Sequence, residues 1–110
     1  MDSIWLKVGS LSCDNSEYDN ARLVVHCMRG AERLGVSWEE ITSASRKRKI
    51  VEARRLCCMF LYEKGWTLKE VAKSVGCRNH TSVLHHKNLG LVFLELESTF
   101  RDKHLIFHNG

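Results

Sequence analysis

Proline is absent from all 110 residues, against about 5% in average usage. Because proline breaks helices and punctuates turns, its absence favours long uninterrupted helices over a turn-rich β sandwich. Long apolar runs are missing too: none approaches the roughly 20 residues of a membrane-spanning helix. The opening Met1-Asp2-Ser3-Ile4-Trp5-Leu6-Lys7 has an acid where a secretory leader needs a basic start and never builds an unbroken apolar stretch. A cytoplasmic protein with no membrane partner is expected.

There is no Cys-x2-Cys pair. The cysteines, Cys13, Cys27, Cys57, Cys58 and Cys77, are odd in number and irregularly spaced, the usage expected of reduced, buried thiols in a cytosol. A site built from Cys77-x2-His80 with His85 or His86 is the alternative, the only enzymatic or metal-binding reading the residues offer, and the preferred expectation is no metal. No Gly-x4-Gly-Lys-Ser/Thr phosphate loop occurs, so no nucleotide cofactor is expected. No Ser/His/Asp arrangement can be picked out, so no enzyme and no cofactor are expected.

With 44% apolar and 27% charged residues, the chain can bury one core, and its length suits one domain. Charge is the uneven feature. Residues 1–43 hold four bases against seven acids, residues 44–89 eleven against three, and residues 90–110 two against three, within an overall +4. The middle segment thus carries the whole positive field and suits a polyanion, most often nucleic acid.

Residues 1–18 lack helical periodicity and read as a flexible arm in which Ile4, Trp5, Leu6, Val8 and Leu11 could dock elsewhere. From Tyr18, the apolar positions Ala21, Val24, Val25, Met28, Ala31 and Leu34 form one helical stripe ending at Gly35. Ser37-Trp38-Glu39-Glu40 is a capping box that starts a short second helix. A long third helix begins at Ser45, with Ile50, Ala53, Cys57, Phe60 and Leu61 inward, and stops at Gly65. Thr67-Leu68-Lys69-Glu70 is a second capping box, opening a fourth helix that ends at Gly76. Asn79 is then a good N-cap for a fifth. Leu89 to Leu96 is apolar on all sides, which predicts a fully buried helix over the alternative of a strand. Residues 101–110 read as a loose tail. The fold class expected is all-α: a single domain of about five helices, residues 19–100, containing a helix-turn-helix.

The tip of the fifth helix carries Arg78, Asn79, His80, Thr81 and Ser82, short polar groups able to enter a major groove, with free amides for phosphate. Thr81 offers a methyl and a hydroxyl, His80 a ring edge, and Asn79 an amide that could pair with adenine if capping leaves it free. The basic run Arg46-Lys47-Arg48-Lys49 stands at a helix entrance, where it works against the helix dipole; its natural targets are phosphates and a narrow minor groove.

The run from Ser45 to Arg54, then Leu68-Lys69-Glu70-Val71-Ala72 and Gly76-Cys77-Arg78-Asn79-His80-Thr81-Ser82-Val83-Leu84-His85, resembles the C-terminal DNA-binding domain of the bacterial replication initiator DnaA. The resemblance covers about residues 19–100. It implies a Trp-repressor-like helix-turn-helix that recognises a short asymmetric duplex, a DnaA-box-like site, in replication initiation or its regulation. By that motif Arg46 enters the minor groove, Asn79, His80 and Thr81 face bases, and Arg54, Arg55, Lys69, Arg78, Ser82 and His85 lie near phosphates, with Arg48 in support. The chain departs from the family pattern at Cys77, where glycine is usual, at Arg55, where glutamine is usual, and at Asn79, where aspartate is usual. An acid can accept from a cytosine amino group, whereas asparagine suits adenine better, so an altered preference at one base is expected. The competing expectation is a protein-binding adaptor that keeps the fold and uses the N-terminal arm or Leu89 to Leu96 as its contact surface.

Overall fold

The computed structural model describes residues 13–108. Among them are six helices and no strand: α1 (Cys13–Arg33), α2 (Trp38–Thr42), α3 (Arg48–Glu63), α4 (Leu68–Val75), α5 (His80–Leu96) and α6 (Ser98–His108).

Local chemistry sets most of the boundaries. Both capping boxes form. The Glu40 amide donates to Ser37 Oγ at 3.2 Å while the Ser37 amide donates to Glu40 Oε1 at 2.9 Å, and Thr67 with Glu70 repeats the two bonds at the same lengths. Each box satisfies two donors that a helix start leaves orphaned. The third helix starts later than Ser45, because Ser43, Ser45 and Lys47 form a hydrogen-bonded loop and Lys47 caps α3 without a side-chain bond.

The core is organised around α3. Leu56, Cys57, Cys58 and Leu61 are fully buried, facing Cys27 and Ala31 of α1, Ile41 of α2, Val71 and Val75 of α4, and Val83 of α5. The Met59 side chain of α3 lies over Gly90 of α5, where a Cβ would collide with Met59 Sδ. A residue poor for helix interiors thus leaves room for a core side chain.

Three expectations are corrected. Of the expected loose tail, residues 101–108 are helical: α6 runs to His108 and buries Phe100 and Phe107 completely, and the Arg33 guanidinium donates to the Phe107 carbonyl at 2.6 Å. A seven-residue aromatic spacing gives this helix a sticky face, and terminal position does not prevent docking. The supposed arm of residues 1–18 is helical from Cys13 onward, since a polar first turn can be helical without any apolar period. Its docking residues Ile4 to Leu11 lie outside the described residues. Finally, Leu89 to Leu96 is helical as preferred over a strand, yet it is not fully buried: Leu91, Val92 and Leu96 are exposed. No helix among the described residues is long and apolar enough to cross a membrane.

Candidate nucleic-acid interface

The basic loop between α2 and α3 and the turn between α4 and α5 are built against each other. The turn begins at Gly76, whose φ of +79° suits glycine. A Cβ there would sit 2.6 Å from the Thr42 carbonyl oxygen, so the turn rests on the residue from which the basic loop departs. Between them opens a groove of about 930 Å³, bounded by Ser43, Ser45, Arg46 and Arg54 on one side and Cys77, Arg78, Thr81, Ser82 and His85 on the other. A smaller hollow bounded by Lys69, Lys73 and His80 shares Cys77 and Arg78 with that groove, which makes the two one continuous surface. Among the described residues no acidic side chain lines either.

The loop that presents Arg46 is an arch held from beneath. Ser43 Oγ donates to the Glu40 carbonyl at 2.6 Å and accepts from the Ser45 amide at 3.2 Å. Under it, the Arg54 guanidinium donates to four carbonyls: Ile41 at 2.7 Å, Ser43 at 2.9 Å, Ser45 at 3.2 Å and Glu40 at 3.3 Å. Arg54 is only 8% exposed. A planar fork with five donors suits this task, and a lysine could not reach so many acceptors at once.

At the tip of α5, Asn79 Oδ1 accepts from the Thr81 amide at 3.0 Å. Asn79 is therefore a working cap, and the part of its amide left over is the donor Nδ2. His80, Thr81, Ser82 and His85 are exposed, as are Arg46, Arg78 and Lys69. The Cys77 thiol is lowered to about 7, because the Cys58 thiol hydrogen-bonds to it and Arg54 adds positive charge, both acting against its burial. Burial, reinforced by the charges of Arg55 and Arg54 and by His85, pushes His86 down to about 4. It stands neutral at the back of the groove.

The residues singled out in the sequence divide accordingly. Arg46, Arg78, Thr81, Ser82 and His85 share the groove, and His80 and Lys69 the adjoining hollow. Arg54 reaches the groove wall, but its guanidinium is spent on the loop. Arg55 is turned toward α5, its guanidinium 5.2 Å over the Phe93 ring, and lines neither hollow. Arg48 is highly exposed but stands between Glu52 at 3.6 Å and Glu97 at 3.7 Å. Lys73 is a surface cation that sequence reasoning does not single out; its spacing of four from Lys69 is the signal that finds it. Among the described residues, no three metal-ligating side chains converge.

A glycine-turned pair of helices flanked by an exposed basic loop defines the helix-turn-helix class. Within that class, the family model described as the bacterial DnaA protein helix-turn-helix matches residues 31–88, more than half of the chain, and the chain belongs to that family of DNA-binding domains. The match runs from the end of α1 into α5 and leaves α6 outside. No curated protein and no solved structure matches the chain.

Proposed function

We propose that this chain binds duplex DNA sequence-specifically at a short asymmetric, DnaA-box-like site, in replication initiation or its regulation. The tip of α5 enters the major groove, where Thr81 and His80 meet base edges and Asn79, its oxygen held in the cap, offers Nδ2 to an acceptor. Bidentate pairing with adenine would need the capping oxygen, so Asn79 reads a base by donation alone. Arg46 enters the neighbouring minor groove. Arg78, Ser82, His85 and Lys69 meet phosphates, and Arg48 supports them. Arg54 and Arg55 serve from inside, Arg54 by holding the loop that carries Arg46.

The observation that carries this reading is that Arg46 and Thr81 line one groove, so a single duplex can meet both. The test is the salt dependence of duplex binding by fluorescence anisotropy. If about five phosphates are neutralised, log affinity falls with log salt at a slope near −4.5, and a slope near zero refutes the proposal.

The exposed Leu91, Val92 and Leu96 on α5 favour a second reading, an adaptor that contacts protein through this face. Capture of a protein partner with no duplex binding at low salt would select it.

A further inference from the structure

Of the four cations in the basic run Arg46-Lys47-Arg48-Lys49, Arg48 alone has carboxylates within ion-pair distance among the described residues. Its Nε stands 3.6 Å from Glu52 Oε2 and its Nη2 3.7 Å from Glu97 Oε1. Neither is a hydrogen-bond distance, and the Arg48 side chain is 79% exposed, so its guanidinium is attracted without being locked. Arg46, two residues earlier, lines the groove; Arg48 does not. The two carboxylates differ. The Glu52 side chain is 6% exposed and is held through Oε1 by Lys103 of α6, the close partner that a buried carboxylate needs. Glu97 follows the last residue of α5, is 36% exposed, and has no cation but Arg48 within ion-pair distance among the described residues. With Glu52 neutralised by Lys103, the charge left to oppose Arg48 is that of Glu97. Both Glu97 and Lys103 lie outside the residues 31–88 matched by the family model.

We propose that Glu97 restrains duplex binding by competing with a backbone phosphate for Arg48, so that removing its charge tightens binding to every duplex; the proposal rests on the DNA-binding reading above. A phosphate that approaches Arg48 has to displace Glu97 from the same guanidinium, and the carboxylate repels the phosphate as well. The competitor is an exposed ion pair, so the restraint is mild and screened by salt. Phosphates carry no sequence, so it acts equally on preferred and unrelated duplexes and leaves their ratio unchanged. Glu97 is thus a positioning residue, acting on DNA through Arg48. A purely structural role is the alternative: carboxylates beside Arg48 also offset a cation placed at the positive end of the α3 dipole.

The test compares the full chain with Glu97→Gln, Arg48→Gln and the double variant by fluorescence anisotropy, on one duplex carrying a DnaA-box-like site and one without it. Glu97→Gln keeps the shape of the side chain and the bond from its amide to the Phe93 carbonyl. Glu95→Gln, which removes the same charge from an exposed position of α5, is the control for net charge. The expected result is a Kd about threefold lower for Glu97→Gln on both duplexes at low salt, with a salt slope steeper by about 0.9 as one more phosphate is neutralised. In the Arg48→Gln background the same substitution changes little, and Glu95→Gln gains less than Glu97→Gln. An unchanged or higher Kd for Glu97→Gln overturns the proposal. So does an equal gain without Arg48, or an equal gain from Glu95→Gln, since either makes the effect one of diffuse charge. Coupling of positions 48 and 97 in urea unfolding with none in Kd leaves the pair purely structural and overturns it too. If the parent chain itself binds neither duplex at low salt, the DNA-binding reading fails, a result distinct from a parent that binds and a Glu97→Gln variant that binds no better.

Discussion

Replacing Arg54 with methionine keeps the length and packing of the buried stem and removes the charged fork. Four carbonyls lose their donor at once. Only the bond to Ile41 is fully buried, and a carbonyl orphaned there costs about 2 kcal/mol, near the middle of the range for a lost bond to a charged group. The other three are partly open, so water replaces the donor at about 0.5 kcal/mol each. The expected destabilisation is thus about 3 to 4 kcal/mol, which urea denaturation measures as a lower midpoint at unchanged slope. Duplex affinity should fall as well under conditions where the variant is folded, because the arch that presents Arg46 is no longer held. Arg54→Lys should recover only part of either loss. Unfolding of Arg54→Met at the parent's urea concentration, or duplex binding equal to the parent's, would refute this role of Arg54.

Arg46→Ala and Thr81→Ala should each weaken binding to the preferred duplex by about 1 to 3 kcal/mol without lowering the urea midpoint, whereas Lys69→Ala should weaken all duplexes alike and reduce the salt slope by about one; anisotropy titrations on matched and mismatched duplexes separate the two classes. Stability should also depend on acidity. His86 and His108 are each pushed down to about 4, chiefly by burial, while the unfolded chain protonates them near 6.5. Between those values the unfolded state binds more protons than the folded one, so stability is complete above pH 6.5 and is lost as pH falls toward 4. Thermal melts in that window should show a steadily falling Tm, and a Tm independent of pH would contradict the burial of these rings.

What could be read from the residues was mainly local. Ser37 with Glu40 and Thr67 with Glu70 announce helix starts because the groups that bond lie three residues apart, and Gly76 ends α4 because few other residues adopt its backbone. The tip of α5 was legible for the same reason. Orientation was not. Whether Arg54 points outward to a phosphate or inward to carbonyls depends on where the chain carries Ile41, Ser43 and Ser45, and no short-range pattern encodes that. Arg55 likewise lies over Phe93, a residue 38 positions away. The boundary drawn at residue 101 separated Phe100 from Phe107, hiding the two-turn spacing that anchors α6. The start of α1 carries no apolar stripe, so periodicity could not reveal it.

Whether the groove shared by Arg46 and Thr81 reads sequence is measured most directly by selection of bound duplexes from a random-sequence library. The predicted result is enrichment of one short asymmetric motif, with an acceptor rather than a cytosine amino group facing Asn79. Recovery of a pool no different from the starting library would contradict it.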